Sequence, residues 1–376
     1  MDWLLNTIYY VVPFLILLGI LVFVHELGHF IVARLCGVKV TDFSIGFGKK
    51  IWGWTDRKGT EWKLSLIPLG GYCKFLGDED AASSSQNGSN VAEDEQKYAF
   101  ANQNPFKKLA IVVAGPAANY LFAIVIFASI FLFIGKMDFP AVVGDVIPGG
   151  AAEKAGVLKG DKILTVNGKK VATFTELRQE VDMHVDDKIK LEIERGGKII
   201  RLAFPLQVVP LEVEANQDAR PRPMLGVHSL NAVEINPVRV GLGEALVDSL
   251  KETWRITEVT LRGLGQMVTG RRNADEVGGI LRIAEMSGDI SKDRGLIDFI
   301  IFMALLSINL GLINLFPIPL LDGGHVVIYS IEIITRREIN EKAKEYIFRF
   351  GLFVLVSLML FATYNDFARL FHRWFS

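Results

Sequence analysis

Four stretches of this chain are apolar for long enough to cross the roughly 30 Å of hydrocarbon in a bilayer: Leu4 to Leu35, Leu109 to Ile134, Phe299 to Phe316 and Tyr346 to Ala362. Lipid offers no hydrogen bonds to a bare backbone, so each stretch is confined to a helix. The sequence therefore predicts an α-helical polytopic membrane protein with four transmembrane helices. With 50% hydrophobic and 22% charged residues, the chain is too apolar for an ordinary soluble protein and too charged to lie wholly in lipid. The first stretch continues past Pro13 with no positive n-region and no small-residue cleavage site, which predicts a retained helix rather than a cleaved signal.

The charges between the spans set an expected orientation. Lys49, Lys50, Arg57, Lys58 and Lys63 follow the first span, Arg336, Arg337, Lys342 and Lys344 separate the last two, and residues 1 to 7 carry no Lys or Arg. This bias predicts that both connections are cytoplasmic and both termini outside. Residues 136 to 297 then lie outside, and their many charges are no obstacle, because long domains translocate largely regardless of charge. A formal net charge of -1, with no phosphate-cradling Gly loop or basic aromatic stripe, argues against nucleic acid as a partner. Cys36 and Cys73 have neither CxxC spacing nor a Cys-rich framework, so no disulfide scaffold is expected.

Boundaries follow from these spans. Residues 1–35 form the first span, and residues 36–76 alternate aromatic and polar residues around turns such as Asp56-Arg57-Lys58-Gly59, predicting membrane-associated β-hairpins. Trp52, Trp54, Trp62 and Tyr72 suit the membrane interface. Residues 77–105 contain a stretch, 77 to 96, with almost nothing to bury, which predicts a flexible linker. The second span occupies 106–136. A small α/β domain follows at 137–210: strands at Ala141 to Val146, Lys162 to Val166, Ile189 to Glu194 and Ile199 to Phe204, helices near Ala151 and from Thr175, and a turn at Asn167-Gly168. Segment 211–297 contains an amphipathic helix with Leu242, Leu246, Leu250, Trp254, Val259 and Leu261 at helical spacing. The third span and its following loop fill 298–345, and the fourth span 346–376.

Chemistry is concentrated in His25-Glu26-Leu27-Gly28-His29. A helix puts positions i and i+4 on one face, where two imidazoles share a metal, and Glu26, one residue round, reaches a water beside it. Ionisable side chains inside an apolar span are expensive and mark function by default. A catalytic zinc wants three protein ligands and an open position. The expected third is Asp322, which follows the third span on the same side of the membrane as His25 and His29. Pro317 and Pro319 break the helix ahead of it, and Gly323 and Gly324 permit close backbone approach. Taken alone, Asp322 reads more readily as a capping or turn residue, and it is the metal motif that makes it the expected ligand. His325 is a rival ligand ranked below it, and His184, His228 and His372 read as ordinary histidines. The Asn314 amide is a candidate oxyanion donor, or an amide that satisfies helix-breaking backbone. Asn119, beside Gly115, Ala117 and Ala118, reads as an interhelical hydrogen bonder.

HELGH at 25–29, Gly115-Pro116-Ala-Ala-Asn119 and NLFPIPLLDGG at 314–324 together resemble the site-2 protease family of intramembrane metalloproteases, in particular the bacterial RseP-type regulators of sigma-factor signalling. The resemblance implies His25, His29 and Asp322 on Zn2+, Glu26 as catalytic base and Asn314 near the scissile carbonyl. It also implies a bacterial inner-membrane location, with the inserted domain periplasmic and the active site toward the cytoplasm. Substrates would be single-pass membrane proteins already shortened by another protease, of the anti-sigma-factor type, or remnant signal peptides. The hairpins at 40–75 would receive an unwound substrate by strand addition. Residues 144–171 and the helix at 173–181 resemble a PDZ domain, whose groove would take peptide ends or exclude bulky ectodomains. Two departures stand out: Gly278-Gly279-Ile280 lacks an expected proline, and the chain has one exterior domain where some RseP-type proteins have two. The competing function is a PDZ-containing membrane scaffold with a structural or inert metal site.

Overall fold

The computed structural model describes residues 2–77, 92–135, 140–182, 188–209, 222–229, 240–270 and 278–375; most of the linker expected at 77–96 lies outside them. The chain runs α1 (Asp2–Leu35), β1 (Val40–Thr55), β2 (Glu61–Phe75), α2 (Pro105–Phe133), β3 (Val143–Val146), α3 (Ala151–Lys154), β4 (Lys162–Val166), β5 (Lys169–Lys170), α4 (Phe174–Asp182), β6 (Lys188–Arg195) and β7 (Lys198–Pro205). It continues through β8 (Gln207–Val209), β9 (Arg222–Met224), β10 (Val227–Ser229), α5 (Leu242–Val268), α6 (Ile280–Asp289), α7 (Leu296–Asn314), α8 (Asp322–Thr335) and α9 (Glu341–Phe375). Four of these helices contain segments long and apolar enough to cross a membrane: Tyr9–Leu35, Pro105–Phe133, Leu296–Asn314 and Lys342–Phe367. They coincide with the spans expected from the sequence. The fold separates into two compact units, one of Met1–Phe127, Ser249–Thr257 and Asp275–Ser376, the other of Ala128–Asp248 and Glu258–Ala274.

In the first unit, small residues set how closely the helices approach. A Cβ on Gly28 of α1 would lie 2.3 Å from the carbonyl oxygen of Ala114 on α2, so only glycine lets these backbones meet. On another side of α2, the Ser307 hydroxyl of α7 donates to the Asn119 carbonyl at 2.8 Å. Instead of several hairpins, β1 and β2 form one. Its strands bend so that Asp42 to Ile45 lie between Gly71 to Lys74 on one side and Glu61 to Leu64 on the other. Repeated register shifts produce that bend, as β-bulges do. Phe43 is buried at the centre, with Phe30 of α1 and Trp62 around it.

The hairpin is tied to the end of α1 through Asp56, whose carboxylate pairs with Arg34. Burial alone would push the Asp56 carboxyl up. Hydrogen bonds from Trp62, the Thr60 and Lys58 backbone and Arg34 outweigh it and bring the carboxyl down to about 2. Along the second half of β1, Ile51, Trp52 and Trp54 are exposed. Helix α6 begins at Ile280, where a proline was expected. The Asp366 carboxylate of α9 accepts the N–H groups of Gly279 and Leu281 there. An orphan-donor helix start has thus found a tertiary cap in place of the N–H-free residue favoured at this position.

The second unit follows its alternating pattern. β5, β4, β6 and β7 form one antiparallel sheet in that order, and β3 pairs with β10. Ile163, Val166, Ile189, Leu191 and Ile193 are buried together with Leu177 of α4. Asn167 and Gly168, with φ of 50° and 84°, form the tight turn expected between β4 and β5. Arg195 clamps the buried Asp161 carboxylate with two 2.7 Å hydrogen bonds. The expected amphipathic helix is α5, and Leu242, Leu246, Leu250, Trp254 and Leu261 lie on its exposed side.

Candidate metal centre

His25, Glu26 and His29 lie within α1, which continues to Leu35. The two imidazoles stand one turn apart, with ring centroids 4.9 Å and Nε2 atoms 3.3 Å from each other. Asp322 reaches them from the opposite end of the sequence. Helix α7 stops at Asn314, Pro317 and Pro319 keep the next residues out of a helix, and α8 starts at Asp322 itself. Leu320 has φ 79°, a left-handed conformation that costs a branched side chain energy and is kept where a site depends on it. Gly323 lets α8 begin against this loop, since a Cβ there would meet the Phe316 carbonyl oxygen at 2.0 Å. Asp322 is the first residue of α8, and the N-cap position before it is Leu321. Its Oδ2 lies 3.1 Å from His25 Nε2, and its Oδ1 lies 3.5 Å from His29 Nε2.

These separations test whether an ion fits. Donors bound about 2.0–2.1 Å from a tetrahedral zinc stand about 3.3 Å from one another, and the three pairs here are 3.1, 3.3 and 3.5 Å apart. Asp322 Oδ2 is buried and accepts no well-directed hydrogen bond among the described residues, although His25 Nε2 is close by. A bare carboxylate oxygen facing two imidazole edges is the donor set a divalent cation satisfies. His25, His29 and Asp322 are the group of three among the described residues able to hold a metal ion. His325, the rival, is not in it; its ring lies near Tyr329 and Phe348 instead.

Around the three donors is a cavity of about 310 Å³, also lined by Glu26, Asn314, His325 and the β2 residues Gly71 to Cys73. The Cys73 backbone N–H bonds the Glu26 carboxyl, and a Cβ on Gly71 would lie 3.3 Å from Glu26 Cγ, so β2 lies directly against Glu26. The Asn314 amide nitrogen is 3.4 Å from His25 Nε2, at the C-terminal end of α7. All five residues singled out by the sequence therefore meet in one cavity. His184 lies outside the described residues, as do the side chains of His228 and His372.

Sequence reasoning missed the Ile111 carbonyl behind the imidazoles, while Asn119 makes an interhelical contact of the kind expected of it. His29 Nδ1 lies 2.8 Å from the Ile111 carbonyl oxygen, which accepts its proton and leaves the lone pair on Nε2, facing the other donors. The Asn119 amide nitrogen is 3.2 Å from His25 Nδ1. Gly115 lies between these contacts, and a Cβ there would be 2.2 Å from His29 Nε2. Positions 111, 115 and 119 recur at one-turn spacing on α2, the one signal in the sequence that pointed to them.

A family model described as Peptidase family M50 matches residues 13–358. Two relatives that each carry the name "putative zinc metalloprotease" come from Agrobacterium fabrum and Rhizobium meliloti. The first is 40% identical over 367 residues, covering 96% of this chain and 96% of its own. The second is 41% identical over 375 residues, covering 99% and 100%. The Caulobacter vibrioides protein named metalloprotease MmpA is 33% identical over 383 residues, covering 95% of each chain.

Proposed function

Because the chain belongs to peptidase family M50, the site-2 protease family, we propose that it is an intramembrane zinc endopeptidase that hydrolyses peptide bonds within the spans of other membrane proteins. One observation carries this reading. Two imidazoles and a carboxylate on helices of a membrane protein stand at the mutual distances of a tetrahedral site, with Glu26 next to His25 and three residues before His29.

In this reading His25, His29 and Asp322 hold the ion. A zinc ion there supplies the Lewis acidity that water and a peptide carbonyl need for reaction at neutral pH. Glu26 takes a proton from the attacking water as the new C–O bond forms, and returns it to the departing amine as the peptide C–N bond then breaks. The Cys73 N–H holds the Glu26 carboxyl in place, and the Asn314 amide donates toward the developing oxyanion. A membrane substrate must first unwind, and β2, which lies against Glu26, offers main-chain partners to the extended segment.

The substrates are single-pass proteins already shortened outside the membrane, such as anti-sigma factors, or remnant signal peptides. The small α/β unit, whose sequence resembles a PDZ domain, selects them by taking peptide ends or excluding bulky ectodomains. Lysines and arginines beside the first and last spans orient the site toward the cytoplasm of a bacterial inner membrane, with that unit in the periplasm.

The test is mass spectrometry of products from a single-span reporter, trimmed on its exterior side, incubated with the purified chain in detergent. The reading expects a cut inside the span that disappears on chelation and in Asp322→Asn. Cutting confined to the soluble flanks, or untouched by chelation, contradicts it.

A further inference from the structure

The GPAAN stretch on α2 is a motif that the proposed chemistry does not use, yet it lies directly behind the metal donors. In an α-helix side chains tilt toward the N-terminus and carbonyls point toward the C-terminus. The Asn119 amide and the Ile111 carbonyl therefore converge on the level of Gly115, where the missing side chain leaves room for imidazole. Each of the two imidazoles presents its Nδ1 to one of them, His29 to Ile111 at 2.8 Å and His25 to Asn119 at 3.2 Å.

We propose that Asn119 is the positioning residue for His25: its side-chain oxygen accepts the Nδ1 proton, which fixes the tautomer and ring angle that aim Nε2 at the ion. The proposal rests on the metal site described under the proposed function. An imidazole carries one proton when neutral, so a proton held on Nδ1 is what keeps the Nε2 lone pair available to a cation. The reverse amide orientation, with the amino group donating to Nδ1, would place the proton on Nε2 and close the position. Carbonyl and amino ends of an amide have the same shape, and only the chemistry of the partner separates them. Asn119 is fully buried, and its Oδ1 has no hydrogen-bond partner among the described residues; turning that oxygen to His25 gives it one. Its backbone is held as well, because the buried Ser307 hydroxyl of α7 donates to the Asn119 carbonyl. The Ser307 contact from α7 thus bears on the metal site through α2 and His25.

Zinc affinity separates positioning from packing. Purified full-length wild type, Asn119→Asp, which keeps an acceptor, and Asn119→Leu, which keeps the size and loses it, are titrated against a chromophoric zinc chelator, with melting of the metal-free proteins measured alongside. Asn119→Leu should bind zinc about 10- to 100-fold more weakly, while Asn119→Asp stays within a few-fold of wild type or binds more tightly. If Asn119→Leu does not fold, Asn119→Ala is read in its place with the same expectation. Wild-type affinity without an acceptor, or equal losses in the Asp and Leu variants, overturns the proposal and leaves a packing role. A wild type that binds no zinc is a different result, and it removes the metal site itself.

Discussion

In strand β6 every second residue is buried, Ile189, Leu191 and Ile193, alternating with exposed Lys188 and Lys190 and half-buried Glu192, whereas helix α1 spreads apolar residues round all its faces with no apolar stripe set against a polar one. Water makes the first pattern informative, because burial of each isoleucine is a free-energy gain that specifies a face. In lipid the same side chains gain nothing from facing inward. The first unit therefore takes its geometry from positions where one extra carbon would collide: Gly28 against Ala114, Gly115 against His29, Gly323 against Phe316. A unit specified by apolar burial tolerates errors far from its chemistry, and one specified by close approach transmits them to the site.

Three substitutions sharpen or break that contrast. The largest effect belongs to the second unit: Leu191→Ala should destabilise it by about 2–5 kcal/mol, read as faster amide exchange in β6 and β7, with zinc affinity unchanged. A parallel fall in zinc binding would mean that the two units do not fail separately. Next comes Gly115→Ala, a single methyl directed at His29 Nε2. It should weaken zinc binding about 10- to 100-fold with β6 and β7 exchange untouched; wild-type affinity would show that the imidazole has room to move.

The smallest effect concerns pH. Burial would raise the Asp161 carboxyl, but the Arg195 fork and the Leu158 N–H outweigh it and hold it below its usual range. A carboxylate depressed in the folded state stabilises above its unfolded pKa of about 3.9, and that stability is lost as pH falls through the folded value. Melting of the second unit should therefore decline below about pH 4, and Asp161→Asn should flatten the decline while lowering stability at neutral pH. An unchanged acid profile would assign the decline to other carboxylates.

The same contrast explains what was legible. The β3 to β7 elements appear in the sequence because alternation and the Asn167-Gly168 turn are local, and the spans appear because length and apolarity suffice. His25 and His29 were legible through their one-turn spacing, and Asp322 through the prolines and glycines around it. Which faces of α1, α2 and α7 meet is absent from any hydropathy pattern, so the Ile111 carbonyl behind His29, the Asn119 amide behind His25 and the Cys73 N–H on Glu26 needed coordinates. The hairpin region was expected and its bend was not, for a related reason: its register shifts arise from pairing one stretch, Asp42 to Ile45, with two others, which no window of alternating residues reveals.

The most direct measurement compares wild type and Glu26→Gln for cleavage of a trimmed single-span reporter, with bound zinc quantified in both. The account predicts about one zinc per chain in each protein and cleavage by the wild type alone, because the amide keeps the shape of Glu26 but cannot take the proton of the attacking water. Cleavage by Glu26→Gln at the wild-type rate, or a wild type that cleaves while holding no zinc, would contradict it.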